Sequence, residues 1–174
     1  MTNNIRVASI NIAGIQAPDK ILVLLNFIKN QNLDIVGLQE VSFNELPSPD
    51  NQYDFVSNIG PKKRGSGILV KRGTPYNRVS FDPDGRLISM DIGPITFISI
   101  YAPSGRSGRE ARNEFFRQTI PAYGVSSRLP LVIVGDFNCI ENTNDRTSTV
   151  VTPRSKIINR TLTEMVAGLE LVDV

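Results

Sequence analysis

The order of the predicted helices and strands indicates an α/β fold in which two mixed β-sheets are stacked face to face, with helices outside. A helix separates the first two predicted strands, a series of short strands with turn residues between them follows, and helices separate the last strands. A doubly wound parallel fold would need more helices between its middle strands. The 174 residues are enough for a single domain, residues 1–174, with a sizeable core.

The first part of the chain is predicted to form a strand, a helix and a second strand. Residues 5–11 (IRVASIN) form a short β-rich stretch that Gly14 ends. Pro18 begins a helix to about Asn30, because apolar residues recur there at helical spacing. Residues 34–40 (DIVGLQE) are predicted to be a second, buried strand.

The middle of the chain is predicted to be a series of short strands. Turn sequences such as DPDG (82–85) and IGPI (92–95) separate some of them. The predicted strands are YDFVSNI (53–59), GILVK (67–71), YNRVSF (76–81), RLISMDI (86–92) and ITFISIY (95–101).

The last part is predicted to contain two helices and two strands. Residues 108–120 are expected to be helical, with Pro121 ending the helix. The apolar run of LVIVGDFN (131–138) is continuous, so we expect a strand that is covered on both faces. Residues 155–167 have the pattern of an amphipathic helix, and LVDV (171–174) is predicted to begin a further strand.

The composition excludes several kinds of site and compartment. There is no histidine, so the chain can hold neither a Ser-His-Asp triad nor a histidine metal ligand, and the single Cys139 excludes a structural zinc site. Any metal must be bound by oxygen, which favours Mg²⁺, Mn²⁺ or Ca²⁺. No apolar run is long enough to cross a membrane and the N-terminus lacks signal-peptide features, so we expect a nuclear or cytoplasmic protein without a membrane partner.

Five polar residues stand at the ends of predicted strands. Strand ends at one edge of an α/β core carry side chains into a shared cleft, so their side chains form a candidate active site. Each residue also has an ordinary structural explanation, such as closing a turn, being solvated or packing beside a proline. The pattern of all five together favours the functional interpretation. They are Asn11, Glu40, Tyr101, Asp136 and Asn138.

The spacing of Asp136 and Asn138 predicts that both face the same side of the strand. Residues two apart on extended backbone share a face, and Phe137 between them would point into the core. Cys139 is interpreted as a small buried apolar residue rather than a nucleophile.

The chain contains four stretches that resemble, in order and spacing, the successive motifs of the endonuclease/exonuclease/phosphatase superfamily. They are SINIAG (9–14), IVGLQE (35–40), SIYAPSG (99–105) and VIVGDFN (132–138). Within that superfamily they are most similar to the apurinic-endonuclease-like domains at the N-terminus of LINE-type (non-LTR) retrotransposon proteins. GDFN followed by Asp145 and Arg146, a helix and LVDV points to the LINE branch. The resemblance implies a deoxyribonuclease-I-like four-layer α/β sandwich.

The resemblance also implies a role for each residue of the candidate site. Glu40 would bind Mg²⁺, with Mn²⁺ possible as a substitute, and Asn11 would orient the phosphate or the metal. Tyr101 would donate a hydrogen bond to the scissile phosphate. Asp136 would position or deprotonate the attacking water, and Asn138 would contact a phosphate oxygen. These residue types suit phosphodiester hydrolysis, which needs an activated water, a cation and hydrogen-bond donors.

The chain departs from the family pattern towards its C-terminus. The family has a further Asp and then a Ser-Asp-His motif, whose His contacts the scissile phosphate. The sequence reaches Val174 within an apolar stretch and contains neither motif. The resemblance therefore implies a C-terminally truncated domain that lacks its last strands.

Basic residues flank the candidate site in the sequence. They have an ordinary interpretation as solvated loop and helix residues. They could also contact phosphates, which would give a salt-dependent and largely sequence-independent affinity for DNA. The net charge of +2 permits a nucleic-acid partner without requiring one. The candidate DNA-binding residues are Arg64, Arg106, Arg109, Arg112 and Arg146.

The sequence thus predicts a Mg²⁺-dependent DNA endonuclease that nicks one strand and leaves a 3′-hydroxyl. By resemblance to LINE proteins, that end would prime reverse transcription by a reverse transcriptase domain of the same polyprotein. One alternative is another activity of the superfamily, a phosphatase acting on inositol lipids or a nuclease acting on RNA. A second alternative is a non-catalytic nucleic-acid-binding domain without the His motif.

Overall fold

The computed structural model describes residues 4–47, 52–124, 129–140 and 159–173, and it confirms the predicted fold class of two mixed sheets with helices. The strands are β1 (Val7–Asn11), β2 (Ile35–Val41), β3 (Tyr53–Ile59), β4 (Gly65–Lys71), β5 (Tyr76–Phe81), β6 (Leu87–Ile92), β7 (Ile95–Tyr101) and β8 (Leu131–Asp136). The helices are α1 (Pro18–Asn30), α2 (Arg109–Glu114), α3 (Ile120–Gly124) and α4 (Arg160–Gly168), and a π-helical stretch (Phe115–Thr119) joins α2 to α3.

The chain divides into two compact units. The first unit comprises Met1–Tyr101 and Leu129–Asp136 and contains both sheets and α1. The second unit comprises Ala102–Arg128 and Phe137–Val174 and contains α2, the π-helical stretch, α3 and α4. No helix in the described parts of the chain is long and apolar enough to cross a membrane.

Each sheet has one parallel pair of strands at an edge. The first sheet has the order β1-β2-β4-β3 and the second the order β5-β6-β7-β8; β1 pairs with β2, and β7 with β8, in parallel. Parallel neighbours require a crossover connection, which α1 supplies between β1 and β2. The registers place Asn11 beside Gln39, and Tyr101 beside Asp136. The polar ends of neighbouring strands therefore meet at the same edge of each sheet.

The first sheet is buried on both of its faces. One face packs on α1, where Ile21 and Ile28 form a core cluster with Leu38 of β2. The other face packs on the second sheet, where Ile35 of β2 lies in a cluster with Phe97 of β7. Burial on both faces explains why the β2 sequence is almost continuously apolar.

The two sheets approach closely between β2 and the β7–β8 pair. A Cβ atom at Gly37 would lie 2.5 Å from Cγ2 of Val134, so only glycine fits there without displacement. A buried hydrogen bond from Ser66 Oγ to Ser99 Oγ (2.8 Å) also links the two sheets. The ends of β2 and β8 are consequently held in a fixed arrangement.

Two turns, one before β4 and one before β6, touch through their backbones. A Cβ atom at Gly60 would overlap the carbonyl oxygen of Asp84, and one at Gly85 would overlap the backbone nitrogen of Gly60. Gly85 also has a φ of +75°, which favours glycine. This contact fixes the turns that precede Arg64 and Arg86.

The carboxylate of Asp82 organises the turn before β6. Asp82 is 3% exposed and accepts backbone N–H groups from Asp84 (3.1 Å), Arg86 (2.6 Å) and Leu87 (2.5 Å). Burial raises the pKa of the Asp82 carboxyl above its ordinary value, while these backbone hydrogen bonds oppose the shift. Asn58 of β3 donates from Nδ2 to Oδ1 of Asp82 at 3.1 Å, which ties this turn to the first sheet.

The prediction that Pro121 ends its helix is wrong. The helical segment continues from α2 through the π-helical stretch to Gly124. Pro121 lies inside this segment, directly after the π-helical stretch, where the Ile120 N–H donates to the Phe115 carbonyl. A proline inside a helix removes one backbone hydrogen bond, and the altered hydrogen-bond pattern of the π-helical stretch accommodates it.

The predicted last strand is also wrong for the described residues 171–173, which form no strand. Leu171 donates its backbone N–H to the carbonyl of Val166 at 2.9 Å, and Glu170 has a φ of +53°. This pattern closes the C-terminus of α4 and uses the residues that would begin a strand. At the other end, Asn159 caps α4, and residues 155–158 of the predicted helix lie outside the described residues.

We expect Asp82→Ala to lower the free energy of unfolding by about 3 kcal/mol or more, because three backbone N–H groups would lose their acceptor. Asp84→Ala is the control, since the Asp84 side chain is exposed, and it should change stability by less than about 0.5 kcal/mol. Urea denaturation measures both values. A loss below about 1 kcal/mol for Asp82→Ala would contradict the structural role given to this carboxylate.

Candidate active site

Four of the predicted site residues lie at strand ends of the first unit. Asn11 ends β1, Glu40 is next to last in β2, Tyr101 ends β7 and Asp136 ends β8. The structure brings three of them, Asn11, Glu40 and Asp136, into direct contact.

The side-chain amide of Asn11 links the two carboxylates. Its Nδ2 donates to Oδ2 of Asp136 at 2.9 Å and to Oε1 of Glu40 at 3.3 Å. Its Oδ1 accepts the backbone N–H of Ala13 at 2.8 Å, which fixes the orientation of the amide. One donor group therefore stands between two acids that would otherwise repel each other.

The backbone of Glu40 is unusual. Its φ is +58°, and the pairing of β2 with β4 shifts between Gln39 and Val41, as in a β-bulge. A bulge redirects a side chain relative to regular alternation, and a left-handed backbone costs energy in a residue other than glycine. The direction of the Glu40 carboxylate thus depends on a local distortion that the fold maintains.

Arg64 belongs to this cluster. It forms an ion pair with Glu40 through Nη1 and Oε2, with 50% of the Arg64 side chain and 19% of the Glu40 side chain exposed. The guanidinium lies against Gly14, where a Cβ atom would be 3.2 Å from Nη2. The structure thus places this predicted DNA-binding residue directly on the candidate metal ligand.

Tyr101 is held by its pairing with Asp136 and by a second arginine. It is 9% exposed and pairs with Asp136 across the parallel strands. The guanidinium of Arg86 lies over the Tyr101 ring, 5.1 Å from its centroid, and Nη1 donates to the Tyr101 carbonyl at 3.1 Å. Sequence reasoning missed Arg86, although its position directly after the DPDG turn, at the start of a strand, was a usable signal.

Gln39 is a second residue that sequence reasoning missed. Its side chain is 1% exposed, and its Oε1 accepts from Ser9 Oγ at 3.3 Å. Its Nε2 is buried without a hydrogen-bond partner among the described residues. The signal was a polar residue inside an apolar strand, one position before Glu40.

The prediction that Asp136 and Asn138 share one face of an extended strand is wrong. β8 ends at Asp136, and Asn138 has a φ of +52°, a left-handed conformation that asparagine adopts more readily than most residues. In the second unit, the Nδ2 of Asn138 donates to the carbonyl oxygen of Ala102 at 2.9 Å. This contact gives Asn138 a role in joining two segments of that unit.

The two neighbours of Asn138 in the sequence confirm only part of what was predicted for them. Phe137 packs with Phe116 of the π-helical stretch, their ring centroids 6.2 Å apart, so it does contribute to a core. Cys139 is partly exposed, which corrects the expectation that it is buried.

The remaining predicted DNA-binding arginines differ in their surroundings. Arg112 donates from Nη1 to the carbonyl oxygens of Pro103 (2.7 Å) and Gly105 (3.3 Å), so it stabilises the loop before α2. Arg106 and Arg109 are exposed, and Arg146 lies outside the described residues.

The donor set at the strand ends fits a hard divalent cation. Glu40 and Asp136 offer only oxygen atoms, and Mg²⁺ is commonly bound by one or two protein carboxylates together with water. Within the described segments, no group of three Asp, Glu or Cys side chains could hold a metal ion, so the site is sparse. Arg64 occupies one side of the Glu40 carboxylate, and a cation there would compete with it.

The fold and the site define an α/β sandwich with two carboxylates at the ends of strands from different sheets. The chain belongs to the Endonuclease/Exonuclease/phosphatase family, whose model matches residues 8–156.

Known proteins resemble this chain in sequence or in fold, at low sequence identity. An exodeoxyribonuclease of Bacillus subtilis (strain 168) is 23% identical over 147 residues, which cover 76% of this chain and 58% of that protein. The chain thus spans less than two thirds of that relative. An AP endonuclease from Archaeoglobus fulgidus superposes with a TM-score of 0.74 at 19% identity, covering 94% of this chain and 70% of that one. TDP2 from Caenorhabditis elegans gives 0.62 at 20% identity, covering 84% and 50%.

Because the amide of Asn11 lies between two carboxylates, we expect Asn11→Asp to lower the stability of the protein by charge repulsion. A third carboxylate beside Glu40 and Asp136 would repel both, because like charges at short distance are unfavourable. We expect Asn11→Asp to be about 1 kcal/mol less stable than Asn11→Ala at pH 7, with the difference shrinking as salt screens the repulsion. Thermal denaturation at several salt concentrations measures it. Equal stability at pH 7 would mean that the three side chains are not neighbours.

Proposed function

We propose that this chain is a Mg²⁺-dependent DNA endonuclease that nicks one strand and leaves a 3′-hydroxyl. The observation that carries the proposal is the amide of Asn11, which holds the carboxylates of Glu40 and Asp136 together at the strand ends. Membership of the family and the exodeoxyribonuclease relative support a nuclease, and the names of that relative and of the AP endonuclease support DNA as the substrate.

The residues of the site have distinct chemical tasks in this proposal. Glu40 would hold Mg²⁺, which when bound would stabilise negative charge on the phosphate oxygens. The carboxylate of Asp136, oriented by Asn11, would accept the proton of the attacking water. The hydroxyl of Tyr101 would donate a hydrogen bond to the phosphate. The 174 residues contain no histidine, so carboxylate, amide and hydroxyl groups carry these tasks here.

Arginines add positive charge around the bound phosphate. Arg64 lies at Glu40 and Arg86 at Tyr101, so each is next to a residue of the site. A cation that is already held in place, as Arg86 is on Tyr101, stabilises the charge that develops on a phosphoryl group without having to reorganise. The exposed Arg106 and Arg109 would add purely electrostatic contacts to the DNA backbone.

The origin of the chain is part of the proposal. The order of its four motifs and the Asp145–Arg146 pair after GDFN support a LINE-type retrotransposon. In that setting the nicked 3′-end would prime reverse transcription by a reverse transcriptase domain of the same polyprotein, in the nucleus.

A specific observation favours catalysis over a domain that only binds nucleic acid. A binding domain needs no two carboxylates at one donor, since like charges repel, yet Glu40 and Asp136 share the amide of Asn11. The left-handed backbone of Glu40 (φ +58°), at the bulge of β2, adds to the energetic cost of this arrangement. The binding-only alternative and the other substrates of the superfamily become outcomes of the experiment below.

The experiment is the nicking of supercoiled plasmid by the 174-residue chain, with Mg²⁺ or with EDTA. We expect nicking only with Mg²⁺, and a loss of about a hundredfold or more in Glu40→Gln, which keeps the shape but removes the charge. Asp54→Asn is the matched control, because Asp54 is also in a partly exposed ion pair, with Arg72 at 3.3 Å, and should cut at the wild-type rate. Extension of the nicked ends by a DNA polymerase tests for the 3′-hydroxyl.

The other outcomes separate the alternatives. Retention of labelled DNA without nicking would contradict catalysis and support the binding-only domain. Cleavage of RNA or of inositol phosphates in place of DNA would contradict the proposed DNA substrate. It would still support phosphoester hydrolysis as the reaction.

A further inference from the structure

We infer that Arg64 has two successive partners: the carboxylate of Glu40 in the free protein and a phosphate oxygen of the substrate in the complex. This inference rests on the proposed function. It makes Arg64 both a competitor of the metal in the free protein and a contact of the substrate during catalysis.

The first partner is present in the structure. Arg64 is paired with Oε2 of Glu40, while Oε1 accepts from Asn11. Half of the Arg64 side chain is exposed, and ion pairs in water are weak because solvent screens them and both side chains lose freedom. The pair is therefore strong enough to occupy Glu40 and weak enough to be exchanged.

The backbone of Arg64 is fixed, so its side chain stays at the site when it changes partner. The Arg64 carbonyl accepts the N–H of Gly60 at 3.3 Å, and the next residue, Gly65, lies so close to Asn58 that a Cβ atom would overlap the Asn58 carbonyl oxygen. Its guanidinium rests on Gly14. A small rotation of this long side chain changes which acceptor it reaches without moving the strand.

Each charged group has an opposite charge beside it before and after the exchange. A guanidinium offers the same planar fork of donors to a carboxylate and to a phosphate. A divalent cation on Glu40 would replace the charge that Arg64 supplies there, and the phosphate would bring an anion to which the released guanidinium can turn. Arg86 does not suit this exchange, because it is already held on the ring and the carbonyl of Tyr101.

The test combines a binding measurement with a kinetic one. Calorimetric titration of the free protein with Mn²⁺ gives the metal affinity, and steady-state nicking gives kcat/KM. We expect Arg64→Gln to bind Mn²⁺ about two- to fivefold more tightly than the wild type, since the competing ion pair is removed. The same variant should lose about tenfold or more in kcat/KM, with Arg64→Lys between the two.

A matched control is the ion pair between Arg72, which directly follows β4, and Asp54 of β3. Arg72 forms an ion pair with Asp54, and 54% of its side chain is exposed, close to the value for Arg64. Arg72→Gln should change neither the Mn²⁺ affinity nor kcat/KM. Melting temperatures of both glutamine variants check that each is folded.

The outcomes separate this inference from the proposed function. If the wild type binds Mn²⁺ and nicks DNA, an unchanged or weaker Mn²⁺ affinity in Arg64→Gln overturns the inference alone. An undiminished kcat/KM in that variant overturns it as well. A folded wild type that neither binds Mn²⁺ nor nicks DNA overturns both the inference and the proposed function.

Discussion

The candidate site depends on one shared donor, the side-chain amide of Asn11. Two carboxylates at the ends of different sheets repel each other unless a donor or a cation stands between them. Asn11 supplies both amide hydrogens, one to Glu40 and one to Asp136, and its own oxygen is fixed by the backbone of Ala13. The stacking of the sheets brings these strand ends within reach of one amide. The geometry of the site therefore depends on how the two sheets stack.

The rest of the first unit keeps that arrangement in place. The close approach at Gly37 and the hydrogen bond between Ser66 and Ser99 fix the spacing of the sheets. The turns before β4 and β6 touch through their backbones, and Asp82 closes the second of them. This contact fixes the backbone of Arg64 and Arg86, which directly precede those strands. A left-handed backbone costs energy in a glutamate, and these surroundings offset that cost at Glu40.

Much of the fold was predictable, because continuous apolar runs end where the strands end. That pattern placed Asn11, Glu40, Tyr101 and Asp136 at strand ends before any contact was known. The features that sequence reasoning missed depend on backbone angles and long-range contacts, which periodicity does not encode. The left-handed turn at Asn138 and the pairing of Arg64 with Glu40 are of this kind. An apolar stretch such as LVDV cannot by its pattern be distinguished from the closing turn of a helix.

We propose that Glu40, held beside Asp136 by Asn11, binds a divalent metal for phosphodiester hydrolysis. Anomalous diffraction from crystals of the chain grown with Mn²⁺ examines this proposal without relying on activity. We expect an anomalous peak within about 2–2.6 Å of a Glu40 carboxylate oxygen, with Arg64 no longer paired to that carboxylate. A peak elsewhere, or an ordered site with the Arg64–Glu40 pair intact and no metal on Glu40, would contradict it.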